Sequence, residues 1–69
     1  SVAMPRLELN PNFTDPDAFY AALTALHRDR SEADSERINA RLILLLANHI
    51  GDQAVLEEAM SHAVADGDQ

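Results

Sequence analysis

Three histidines are the neutral nitrogen ligands of this 69-residue chain: His27, His49 and His62. Imidazole is the commonest metal ligand in proteins. Glu58 lies four residues before His62, so both side chains fall on one face of a helix, a spacing that also occurs in ordinary surface pairs. The chain has neither an HExxH motif nor a cysteine, so no such motif supports a metal site. We therefore expect no metal and no other cofactor. The least favoured alternative is that the chain is a small metal-binding protein.

A second group of residues could bind an anion, because Arg37, Arg41 and Asn48 share one strip of a predicted helix. Two guanidinium groups one turn apart can clamp a carboxylate or a phosphate. The same arginines can equally pair with acids on a neighbouring helix, such as Glu57 or Glu58. The ion-pair interpretation is favoured, because the chain has no glycine-rich phosphate loop.

The serines offer little for nucleophilic catalysis. Ser31 and Ser35 are better explained as helix caps, and Ser61 points to a different helix face from the His62 that follows it. No serine lies in a glycine elbow. The chain is therefore not expected to be an enzyme.

The charge balance excludes two classes of partner. Twelve acidic residues stand against five arginines, which gives a net charge of −7 with neutral histidine. Nucleic acid and anionic membrane surfaces both require a basic face, so we expect neither as a partner. No apolar run is long enough to span a membrane, no signal peptide is visible, and no cysteine can form a disulfide. A cytoplasmic location is the expectation.

The composition predicts an all-α fold. Alanine and leucine supply 21 residues, whereas valine, isoleucine and threonine supply 8, which favours helix over strand. Residues 15–65 are predicted to form a single helical domain. Prolines in residues 1–14 block regular helix, so this segment is predicted to be an extended arm, with residues 1–3 a tag remnant. Residues 66–69 are predicted to form a frayed acidic tail.

Capping residues divide the domain into a helical hairpin and a short third helix. Asp15 is predicted to cap the first helix, with Pro16 at its first position. This helix is expected to fade over residues 27–30. Either Ser31 or Ser35 can cap the second helix, and the pattern does not choose between them.

A tight joint is predicted between the second and third helices. Gly51 should end the second helix in a left-handed conformation, and Asp52 should cap a third helix from Gln53 to about Ala65. His49 lies near the centre of one apolar face. Its ring is therefore predicted to be at least partly buried at the joint.

The second helix is apolar around most of its circumference, because nine of the thirteen residues 38–50 are apolar. One face carries Leu45, Ile38, His49, Leu42 and Leu46. A second face carries Ala40, Ile43, Ala47 and Ile50. Two short flanking helices cannot cover both faces, so the second is predicted to be an association surface. We expect another chain to complete the domain, either in a homodimer or as a larger protein partner.

Two segments of the chain resemble a small bacterial family, the one catalogued as domain of unknown function 2783. They are DPDAFYAAL at residues 15–23 and LILLLANHIGD at residues 42–52, with residues 48–52 the most distinctive part. The resemblance covers roughly residues 7–65. It implies a short cytosolic protein without an assigned activity, and it supplies no catalytic residue. It also implies that family members are encoded near oxidative enzymes for aromatic compounds. The alternative function is therefore that of an accessory or regulatory subunit of a larger oxidative enzyme, such as an oxygenase for aromatic compounds.

Overall fold

The described part of the chain folds into three helices connected by short turns. The structure, a computed structural model, describes residues 5–67. Its helices are α1 (Pro16–His27), α2 (Glu32–Ile50) and α3 (Gln53–Gly67). The described residues contain no strand, so the predicted all-α fold is confirmed.

The segment before α1 is without regular secondary structure from residue 5 to residue 15; we call residues 5–14 the arm. Helix α3 continues two residues beyond its predicted end, to Gly67. The predicted tag remnant at residues 1–3 and the last two residues of the predicted tail lie outside the described residues.

Local hydrogen bonds fix the start of α1. The Asp15 carboxylate accepts a hydrogen bond from the Ala18 N–H at 3.0 Å, and Pro16 occupies the first helical position. Proline suits that position, because its missing N–H would have no helical acceptor there. In the turn after α1, Asp29 has a positive φ of 59°. Aspartate tolerates positive φ better than most residues other than glycine.

Ser31, rather than Ser35, caps α2. The Ser31 hydroxyl accepts a hydrogen bond from the Asp34 N–H at 3.1 Å. Ser35 is therefore free to contact α1, where its Oγ lies 2.9 Å from His27 Nδ1. On the other side of the ring, His27 Nε2 lies 2.8 Å from Asn39 Oδ1. Because a hydroxyl both donates and accepts, this His27 bridge between α1 and α2 can form with the imidazole neutral or protonated.

Gly51 makes the joint between α2 and α3. Its φ of 76° is positive as predicted, but its ψ of −34° lies outside the left-handed helical region. The Asp52 N–H donates to the Ile50 carbonyl at 2.9 Å, which is the hydrogen bond of a γ-turn centred on Gly51. The Asp52 carboxylate then accepts from the Val55 N–H at 3.0 Å and caps α3.

The side chains that the structure describes form no buried core. Among residues 5–65, no side chain is buried. The partly covered apolar residues mark the inner side of the three helices and the arm: Leu7, Leu23, Ile38, Leu42, Ala47, Val55, Leu56 and Ala59. The radius of gyration is 14.5 Å, whereas a compact domain of this length has about 11 Å. The accessible surface is 6181 Å², whereas a folded monomer of this mass exposes about 4,300 Å².

Substitution of Gly51 tests the joint. We expect Gly51→Ala to lower the free energy of unfolding by more than about 1 kcal/mol, because alanine resists a positive φ. A Cβ atom at this position meets only the Asn48 carbonyl, at 3.8 Å, so the cost comes from the backbone and not from a clash. Gly51→Asn should be destabilising as well, since asparagine tolerates positive φ mostly in the left-handed helical region, and the ψ of −34° lies outside it. Thermal melts in which Gly51→Ala is neutral would contradict this joint.

Candidate functional site

Five of the large apolar side chains that are exposed lie on α2. Ile43 is 64% exposed, Leu44 70% and Leu45 68%. Leu46 and Ile50, further along the helix, are exposed as well. A small monomeric protein rarely leaves so many large apolar side chains of one helix in water. The exposed part of α2 is therefore the candidate functional site.

The predicted burial of His49 is wrong in this chain, because His49 is exposed. The helical period correctly places it on the same side as Ile38 and Leu42, which are partly covered. However, Leu45 lies one turn before His49 on that side and is exposed too. The chain thus covers this side of α2 only in its first half, and more apolar surface is open than the sequence predicts.

Ala40, Ile43, Ala47 and Ile50 form a line along α2 that we call the α2 seam. Their spacing of three, four and three residues is the a and d spacing of a heptad repeat. Ala40, Ile43 and Ile50 are exposed, and Ala47 is partly covered. Alanine at alternate positions lets a second helix approach closely, while isoleucine supplies apolar area on either side. The seam has the pattern of a helix–helix contact surface.

An apolar groove adjoins the α2 seam. It lies between the arm and the helices, and its walls are Glu8, Leu9, Asn10, Pro11, Asn12, Phe13, Pro16, Tyr20, Leu46 and Ile50. We call it the arm groove. Phe13 packs against Phe19 and Tyr20 on α1, with ring centroids 5.3 and 6.4 Å away. Ile50 belongs to both the groove and the seam, so the two surfaces are continuous.

A cluster of hydrogen bonds on one carboxylate holds the arm against α3. Arg6 donates from Nε and from its terminal nitrogen to the two oxygens of Glu58, each at 3.2 Å. The Leu7 N–H donates to Glu58 Oε1, also at 3.2 Å. We call this contact the arm clasp. The hydrogen bonds from Arg6 and Leu7 hold the pKa of Glu58 below its ordinary value of 4.5, and the nearby charges of Arg6 and His62 lower it further.

The predicted pairing of Arg37 with an acid on another helix is wrong, and that of Arg41 stays a prediction. Arg37 pairs with Asp34, one turn earlier on its own helix. Glu58, one of the acids predicted to pair with that strip, is bonded to Arg6 instead. Helix geometry favours pairs three residues apart, because the two side chains then lie on the same face. Asn48 is exposed on the same strip.

Sequence reasoning missed two contacts, the arm clasp and the His27 bridge. Arg6 and Glu58 are 52 residues apart, and no local pattern links a single charge in the arm to one in α3. The His27 bridge has a weak sequence signal, since Ser35 and Asn39 are spaced by one helical turn. Within residues 5–67, no three His, Asp or Glu side chains are grouped as a metal site would require. No helix in that range has the length and apolar character needed to cross a membrane.

The arm clasp predicts a dependence of stability on pH. Because folding lowers the pKa of Glu58, the ionised clasp stabilises the fold at pH values above the ordinary 4.5. This contribution is lost as the pH falls through the lower pKa of the folded state. We therefore expect the melting temperature of the wild type to exceed that of Glu58→Gln at pH 7, and the difference to shrink in acid. A difference that persists unchanged at about pH 2 would contradict the role of the ionised carboxylate.

A comparison with known protein families finds a match over most of the chain. The family model described as a protein of unknown function (DUF2783) matches residues 7–65, which include Glu58, the α2 seam and most of α3. No curated protein and no solved structure matches the chain.

Proposed function

This chain belongs to the DUF2783 family, and we propose that it acts by associating with a second copy of itself, through the α2 seam, and not by catalysis. The observation that carries the proposal is the absence of a buried side chain among residues 5–65. Ordering a chain costs conformational entropy at every residue, and burial of apolar surface is the main term that offsets it. One copy of this chain has little burial to offset that cost.

The amount of exposed surface fits an obligate dimer. The accessible surface of 6181 Å² exceeds that of a typical folded monomer of this mass by about 1,900 Å². Obligate homodimers bury about 2,000–5,000 Å² in total, or half of that on each copy. A second copy that covered the excess would therefore return each chain to the surface expected of a folded protein.

The α2 seam also suits a two-fold symmetric contact. In such a contact the same patch is used on both copies, so each residue of the pair meets its counterpart reciprocally. If two α2 helices cross in antiparallel orientation beside Ala47, Ile43 of each copy lies next to Ile50 of the other. The alanines then meet at the centre, where a small side chain allows close approach.

Sedimentation equilibrium at micromolar concentration tests the proposal. We expect the wild-type chain to sediment with the mass of a dimer, about twice 7.6 kDa. A folded chain that sediments as a monomer at these concentrations would contradict self-association. In that case, the α2 seam would be expected to bind a larger protein partner instead of a second copy.

Two matched variants locate the contact on α2. Ile43 lies in the seam and Leu44 lies beside it, and both are strongly exposed in the single chain. We expect Ile43→Glu to raise the dissociation constant of the dimer by at least about tenfold, because it places an unpaired carboxylate in an apolar contact.

Leu44→Glu adds the same charge next to the polar strip of α2, so it controls for the increase in negative charge. It should weaken the dimer less than Ile43→Glu. Equal effects of the two variants, or a larger effect of Leu44→Glu, would show that the contact does not use the seam.

A further inference from the structure

We propose that the surface that receives the second copy is composite: the arm groove extends the α2 seam, and the arm clasp holds the arm in the position that the dimer requires. This inference rests on the proposed self-association and adds to it a second contact region and a positioning residue, Glu58. The clasp joins the arm to α3 and contains no residue of the α2 seam. Its effect on association would therefore be exerted through the arm.

The first argument is the continuity of the two surfaces. Leu9 and Phe13 in the arm are 66% and 56% exposed, and they line the groove together with Leu46 and Ile50 of α2. A second copy that covers Ile50 through the seam necessarily lies at the rim of the groove. In the antiparallel arrangement, the side chain that reaches this rim is Ile43 of the second copy. The groove thus offers apolar walls to an apolar side chain.

The second argument is the way in which the arm is held. The clasp fixes residues 6–7 on α3, and the ring of Phe13 fixes the other end against α1. Between these two points, the polar contact that the structure describes joins two residues of the arm itself: the Asn10 N–H donates to the Glu8 carboxylate at 2.8 Å. It does not attach the arm to a helix. Leu9 and Pro11 therefore owe their place in the groove wall to the two attachment points. Loss of either point would leave that wall unsupported.

The third argument concerns the occupant. Glu8 is the one charged residue among those that line the groove, so the groove does not offer the cluster of charges that a strongly basic ligand would need. It is an apolar recess next to an apolar helix face. The excess surface of about 1,900 Å² is also larger than the seam of four residues can account for. A second copy that covers both the seam and the groove fits that excess better than one that covers the seam alone.

Glu58→Ala and Glu57→Ala form the matched pair that tests the clasp. Both remove one negative charge from the same turn of α3, but only Glu58 accepts the hydrogen bonds from the arm. We expect Glu58→Ala to raise the dissociation constant measured by sedimentation equilibrium about fivefold more than Glu57→Ala, with the helical circular dichroism at high concentration unchanged. Equal dissociation constants for the two variants would overturn the role of the clasp.

Leu9→Ser tests the contribution of the groove independently of the clasp. It keeps the composite surface testable if Glu58→Ala does not fold. Leu9 is exposed in the single chain, so its loss should weaken the dimer, again about fivefold, with little effect on the fold of each copy. Asn12→Ser, on the same groove wall, is the control. A Leu9→Ser dimer as tight as the wild type would overturn the composite surface while leaving a dimer through the α2 seam intact. A monomeric wild type would instead overturn the proposed function itself.

Discussion

The central constraint on this molecule is that its apolar surface is larger than one chain can cover. The three helices are individually well specified, yet no side chain among residues 5–65 is buried. Each hydrogen bond within a helix or cap contributes only about 1 kcal/mol net, since water offers the unfolded chain equivalent partners. Burial must therefore supply the remainder. Because the large exposed apolar side chains of α2 are not buried in the single chain, the proposed association would link the stability of the fold to dimer formation.

Three polar contacts, two of them between side chains of different elements, orient the elements of the single chain. The His27 bridge joins α1 to α2, the γ-turn at Gly51 orients α3, and the arm clasp attaches residues 6–7 to α3. Each of these contacts sets the direction of one segment of the chain but buries little apolar surface. Such contacts fit the proposed association, because they hold the apolar surfaces in place without covering them.

Capping chemistry made most of the helix boundaries predictable from sequence. Asp15, Gly51 and Asp52 act through their immediate neighbours, so their effect can be inferred from local spacing. The burial of His49 was not predictable in this way. The helical period gives the direction of a side chain, but burial depends on whether another element lies over that turn. The partner of Glu58 was equally beyond local inference, because Arg6 reaches it across 52 residues.

Thermal unfolding over a thousandfold range of protein concentration tests the link between folding and association most directly. If the dimer is the folded species, dissociation and unfolding are coupled by mass action, and the melting temperature must rise with concentration. We predict such a rise for the wild type. A cooperative transition at a melting temperature that is independent of concentration would show that a single chain is stable alone, and would contradict the account.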